Sequence, residues 1–125
     1  MKGVTLDASA LIAFERNDRR VVGTLARALE RRLSLSVPAG VVGQVWRDGR
    51  RQVRLARLLG SDGVDIEPLD DLKARAAGQL CGVSNTSDVI DASVVLCAKA
   101  RGHAVMTSDV RDLRRLDSTL RVVAV

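Results

Sequence analysis

The stretch TSDVIDASVVLCAKARGHAVMTSDV, residues 86–110, decides how the chain is read. Its centre is a long, strongly apolar run, the mark of a buried helix. Gly102 stops that helix, and Lys99 and Arg101 stand in its last turn, where cations complement the dipole. HAVMTS follows as a short strand, and DVRDLRRL begins another helix. Asp88 and Asp91 open the first helix, Asp109 and Asp112 the second, so acids three apart occur twice at helix starts.

Outward from this core the same alternation continues. GVTL, residues 3–6, reads as a short buried strand ending at Asp7, and ASALIAFE turns helical. Residues 20–33 place Val21, Val22, Leu25, Ala28, Leu29 and Leu33 at helical spacing, an apolar stripe for the core. SLSV, 34–37, is a second strand closed by Pro38. AGVVGQVWRDG predicts a helix weakening at Gly49, continued by RRQVRLARLLG to Gly60. VDIEPL, 64–69, is a third strand running into a turn, DDLKARAAGQLCG a helix, and LRVVAV a last strand. Short strands alternating with helices predict a three-layer α/β/α sandwich around a short, mostly parallel sheet, as a single domain over residues 1–125.

Composition narrows the classes. The chain has 125 residues, 46% of them hydrophobic, enough for one core. No run of eighteen apolar residues exists, so no membrane span is expected. The opening apolar stretch is broken by Asp7, unlike a secretory signal. Cys81 and Cys97 lack metal-type or redox-type spacing and read as reduced and buried, in keeping with a cytoplasmic protein. The net charge of +5 suggests a polyanionic partner, although an Arg-dominated basic set also arises from coding bias. One Trp, one Phe and no Tyr argue against a module built on aromatic platforms for single-stranded bases.

The acids carry the chemical signal. Asp greatly outnumbers Glu, and short carboxylates suit caps, turns and hard-metal sites. In an open α/β sheet the functional crevice lies at the carboxyl ends of the strands. Asp7 ends the first strand, Asp109 follows the fourth, and Asp88 and Asp91 begin the helix leading into it. Two readings stand. Each Asp can be a helix cap, and DVID and DVRD both have the form of a capping box. Together they can instead form one acidic pocket, whose mutual repulsion calls for Mg²⁺ or Mn²⁺.

VTLDASALIAFE, VPAGVVGQVWR, SDVIDASVVLCAKARG and AVMTSDVRDL, taken in order over nearly the whole chain, resemble the successive motifs of the PIN-domain family, and within it VapC-like toxins of toxin–antitoxin pairs. The resemblance implies a metal-dependent endoribonuclease, the toxin of a type II pair, holding one or two Mg²⁺ or Mn²⁺ ions. It assigns catalytic and metal-holding roles to Asp7, Asp91 and Asp109, and further metal roles to Asp88 and Asp112. Ser9 and Thr107 match hydroxyl residues beside the pocket. RNA, a cognate antitoxin and a second copy of the chain are the implied partners.

One position departs from the pattern. The family's second acid, usually Glu, falls on Gln44, which keeps the shape and an acceptor oxygen but loses the charge. Asp48, four residues on, is either a partial substitute or an exposed carboxylate. Gln44 also motivates an alternative: a weakened PIN domain acting mainly as an RNA- or protein-binding module. Arg47, Arg50, Arg54 and Arg57 would form one helical stripe if the helix survives Gly49, suited to RNA phosphates or to solvent. Arg114 and Arg115 invite the same two readings. His103, the only His, has no catalytic role in this scheme. A phospho-accepting receiver domain needs a late strand-end Lys, which is missing. A dinucleotide fold needs a Gly-rich first loop, and LDASALIAFE has no Gly.

Overall fold

A computed structural model describes residues 2–125. The chain runs β1 (Gly3–Leu6), α1 (Ala8–Glu15), α2 (Arg19–Glu30), β2 (Ser34–Pro38), α3 (Ala39–Val45), α4 (Val53–Leu59), β3 (Val64–Glu67), α5 (Asp71–Ser84), α6 (Val89–Arg101), β4 (Ala104–Thr107), α7 (Val110–Leu116) and β5 (Val122–Ala124). The five strands form one sheet in the order β3-β2-β1-β4-β5. Every pairing is parallel, with Val4 opposite Leu35 on one side and opposite Ala104 on the other.

The strand order fixes where helices lie. From β1 the chain steps outward through β2 to β3, then crosses back to place β4 on β1's other side. Parallel crossovers are right-handed, so the two outward steps and the return step put their helices on opposite faces. α1 to α4 thus cover one face and α5 to α7 the other; α5 packs on α6, and α6 on β1, β2 and β4. The reversal falls between β1 and β4, making their carboxyl ends the switch point of the sheet.

Burial follows from this layering. β1 and β4 are buried along their whole length, as strands covered on both faces must be. α6 buries Ala92, Ser93, Val94, Val95, Cys97 and Ala98, a nearly continuous apolar surface. It ends at Gly102 in the left-handed conformation, φ 67°, which a residue without Cβ adopts freely. Leu6, Leu11, Leu35 and Met106 are fully buried, each contributing about 1.5–3 kcal/mol of transfer free energy. Cys81 and Cys97 are buried and unpaired. Among the described residues no single helix is long and apolar enough to cross a membrane.

Polar atoms inside the core are paired. Thr5 Oγ1 lies 2.8 Å from Ser36 Oγ and 3.1 Å from His103 Nδ1, tying β1, β2 and the start of β4 together beneath the sheet. Burial, with the Arg101 charge nearby, lowers the His103 pKa and so favours the neutral ring inside this network.

One expectation is corrected here. The helix expected to pass from Ala39 through Gly49 ends at Val45, and α4 begins only at Val53. The cause is the buried amide of Gln52. Its Nε2 donates to Val45 O at 2.8 Å, while its Oε1 accepts from Arg47 N at 2.7 Å and Asp48 N at 2.9 Å. The side chain thus satisfies backbone groups that further helical turns would have used. The third strand, expected to run into a turn within 64–69, does so after Glu67, because Pro68 has no N–H to extend the ladder.

Candidate functional site

Asp7 lies at the carboxyl end of β1 and caps α1, and it is 4% exposed. Its Oδ1 accepts from Ser9 Oγ at 2.6 Å and from Ala10 N at 3.0 Å. Its Oδ2 accepts from Thr107 Oγ1 at 2.5 Å, across the β1–β4 boundary. Both hydroxyls also accept: Ser9 Oγ from Ser108 N at 2.9 Å, and Thr107 Oγ1 from Asp109 N at 2.8 Å. A closed ring of hydrogen bonds therefore welds the end of β1 to the turn after β4. Short bonds to a charged acceptor make it strong.

Asp91 sits in the first turn of α6 and is partly exposed. Its pKa is raised from 3.8 to about 7, first by burial and then by the charges of Asp88, Asp7, Asp109 and Asp112. That list of neighbours defines the cluster: acids from the ends of β1 and β4 and the starts of α6 and α7 act on one carboxyl.

The capping and pocket readings now separate by residue. Asp88 is a cap: its Oδ1 accepts from Asp91 N at 2.9 Å. Asp109 stands at the N-terminus of α7 yet makes no side-chain capping bond, so its carboxylate is uncommitted. Asp112 lies in the first turn of α7 and is exposed. Of the four, only Asp88 makes a capping bond; Asp91, Asp109 and Asp112 make none.

Gln44 is on α3, the helix that leaves the sheet after Pro38, and is exposed. α3 is seated against α6: a Cβ on Gly40, one turn before Gln44, would collide with Ile90 Cδ1, the residue before Asp91. The glycine lets the tip of Ile90 lie directly on the α3 backbone, where any larger residue would have to displace it, and the two helices sit side by side at the sheet edge.

Asp48 is not one helical turn beyond Gln44, since α3 has already ended; its Oδ1 accepts from Arg50 N at 3.0 Å, a turn-forming role. The expected stripe of Arg47, Arg50, Arg54 and Arg57 is broken for the same reason. Arg47 Nη1 turns back onto Gly43 O at 3.2 Å and Trp46 O at 2.6 Å. Arg54 and Arg57 remain neighbours on α4, and Arg50 is exposed on the loop. Arg114 bonds Leu120 O through Nε and Nη2 at 3.4 and 3.3 Å, bracing the approach to β5. Gln52, which shapes the loop, carries no local signal in the sequence.

The donor set is one of carboxylate and hydroxyl oxygens, the ligands of hard divalent cations. The crowding that raises Asp91 is the kind a cation relieves. As they stand, no three His, Cys, Asp or Glu side chains among the described residues are arranged to hold an ion. The set suits an ion such as Mg²⁺, which keeps several waters and takes one or two carboxylates directly.

Comparison with known proteins follows the geometry. A family model described as PIN domain matches residues 4–118. Among solved structures, the chain is similar to VapBC2 from Rickettsia felis bound to a DNA fragment, with TM-score 0.70, 12% identity and 98% of both chains covered. It is similar to FitAcB from Neisseria gonorrhoeae, with TM-score 0.65, 18% identity and 95% of both chains covered. It is also similar to VapC20 from Mycobacterium tuberculosis, a sarcin-ricin loop cleaving toxin, with TM-score 0.65 and 17% identity, covering 88% of this chain and 94% of that one. At such identities the likeness speaks to the fold. No curated protein sequence matches the chain.

Proposed function

The chain belongs to the PIN domain family, and from that premise we propose that it is a metal-dependent endoribonuclease, the toxin of a type II toxin–antitoxin pair. The observation that carries the proposal is the Asp91 carboxyl, raised to about 7 by burial and by four other acids at the switch point. Nothing in the core requires this concentration of charge, and a phosphodiesterase does.

Asp7, Asp91 and Asp109 would hold one or two Mg²⁺ or Mn²⁺ ions, with Asp88 and Asp112 adding charge beside them. A bound ion supplies neutralisation of the scissile phosphate and a water acidic enough to ionise near neutral pH. The protein's own part is orientation. Ser9, Thr107 and the Ala10 N–H fix both oxygens of Asp7, so it meets its ligand without rearranging. Asp91 holds a proton at its carboxyl near neutrality and surrenders it when a cation arrives.

Partners follow from the same reading. We place the protein in the cytoplasm with its RNA substrate and a cognate antitoxin, and pair it with a second copy of itself. The likeness to VapBC2 and FitAcB supports the antitoxin. Leu72 and Val83, large apolar side chains 79% and 87% exposed on α5, support a self-association face.

The test is RNA cleavage with and without divalent ions, alongside thermal unfolding. Mn²⁺ or Mg²⁺ should permit cleavage and raise the melting temperature. Asp7→Asn combined with Asp91→Asn should abolish both. Cleavage that persists in EDTA rejects the proposal, and unchanged metal stabilisation in the double variant places the ion elsewhere. A second reading, a binding module with little cleavage, is favoured by Gln44, where the family pattern has an acid. RNA binding without cleavage at any Mn²⁺ concentration would select it.

A further inference from the structure

The chain has one Trp and no Tyr, and Trp46 is not in the core: it is 38% exposed on the loop between α3 and α4. The benzo edge of its ring rests on Gly49, where a Cβ would come within 2.8 Å of Cζ2 and 3.2 Å of Cη2. The loop beneath is held by Gln52, whose amide uses both donors and both acceptor positions. Besides the three bonds to Val45, Arg47 and Asp48, its Nε2 donates to Glu15 Oε1 at 3.2 Å. An exposed indole on a loop already fixed loses little entropy when something stacks on it.

The surroundings are cationic. Residues 46–57 carry Arg47, Arg50, Arg51, Arg54 and Arg57 against the single acid Asp48. Arg51 is held by Asp48 only at 3.9 Å, with its side chain 88% exposed. Arg50 and Arg54 are exposed as well. The loop is tied to Glu15, the last residue of α1, whose first turn is capped by Asp7. Eight helical residues separate the two ends, about 12 Å along the axis. That is roughly three nucleotides at stacked spacing.

We propose that Trp46 is a base-stacking residue that binds an unpaired nucleotide of the RNA a few positions from the bond cleaved at the acid cluster, with Arg50, Arg51 and Arg54 on the adjoining phosphates. This rests on the ribonuclease reading and adds the residue that receives the base, which must be unpaired because bases inside an A-form duplex offer no free face. Charge decides against a protein partner here. Ile12 and Val53, exposed apolar residues on α1 and α4, would suit one, but five arginines suit a phosphate backbone better.

The lone Trp is its own reporter. The whole chain, in EDTA to prevent cleavage, is titrated with an unstructured 12-nucleotide RNA, the matching duplex, and an abasic ribose-phosphate oligomer of equal charge. Single-stranded RNA should quench Trp46 fluorescence; the abasic oligomer should bind without quenching, and the duplex should not quench. Trp46→Leu should weaken single-strand binding about five- to tenfold, leave abasic binding unchanged, and raise KM for cleavage more than it lowers kcat. Trp46→Phe, which keeps an aromatic face, should recover part of the loss. Equal quenching by the abasic oligomer overturns the proposal, as does a fluorescence change that follows protein concentration alone, which would mark a self-association face. Cleavage by wild type with an unchanged KM in Trp46→Leu rejects the stacking role and leaves the ribonuclease reading intact. No cleavage of any RNA with Mn²⁺ rejects both.

Discussion

Asp91 departs furthest from the behaviour of a free carboxylate, and the departure has a sign. Its folded value of about 7 lies above the ordinary 3.8, so the folded chain binds this proton more tightly than the unfolded chain does. The stability it contributes is fully present below about pH 4 and is lost as pH rises through 7. The full difference corresponds to ~4 kcal/mol; solvent around a partly exposed group screens it to on the order of 1–2 kcal/mol. In EDTA, Asp91→Asn should therefore be more stable than wild type at pH 8 and nearly equal to it at pH 4, as read from melting temperatures. Equal gains at both values would refute the crowding. Thr107 works in the other direction. Thr107→Val removes a donor from the buried Oδ2 of Asp7 and an acceptor from Asp109 N, at a cost of about 1–3 kcal/mol in urea unfolding. Gln44→Glu adds a carboxylate at the position that the sequence resemblance matches to an acid. It should tighten Mn²⁺ binding and raise single-turnover cleavage about tenfold, or roughly 1.4 kcal/mol of barrier. Equal affinity and rate would show that Gln44 does not limit the site.

At the scale of elements, the two helices α3 and α4 show where sequence reasoning reaches its limit. α6 and β4 were legible because their signals are local: an apolar run, a glycine stop, a short buried strand. The break after Val45 was not, because the glycines of AGVVGQVWRDG stand at positions 40, 43 and 49 and none marks Val45, where the helix is ended by a side chain seven residues away. A long-range amide substituting for backbone bonds leaves no periodicity to read. Gln52→Ala should leave three backbone groups and Glu15 without that partner. A loss of about 1–3 kcal/mol is expected, together with faster amide exchange at Arg47 and Asp48. Unchanged exchange at those two amides would mean the loop is held by something else. The acids stood out in the sequence, but not which of them caps a helix, since DVID and DVRD look alike. Asp88 bonds the N–H three residues on, and Asp109 does not.

For the whole molecule, the alternation of short strands and helices announced a parallel sheet, while the strand order was not readable from local pattern. That order matters most, because only the adjacency of β1 and β4 brings Asp7 to Thr107 and Asp109. Truncation after Gly102 removes β4, α7 and β5 and leaves β1 an exposed edge. The shortened chain should show no cooperative melting transition by circular dichroism and no metal-dependent stabilisation; a retained transition would contradict the central role of the β1–β4 pair. The same adjacency governs timing. The hydrogen bond from Thr107 to Asp7 spans a hundred positions, so Asp7 is made a hundred residues before the hydroxyl that holds it. At about 5–20 residues per second, seconds separate them. Throughout that interval the growing chain carries Asp7 with nothing to complete it. On the function proposed above, the ribosome making the chain faces no complete acid cluster until β4 has been made and has paired with β1.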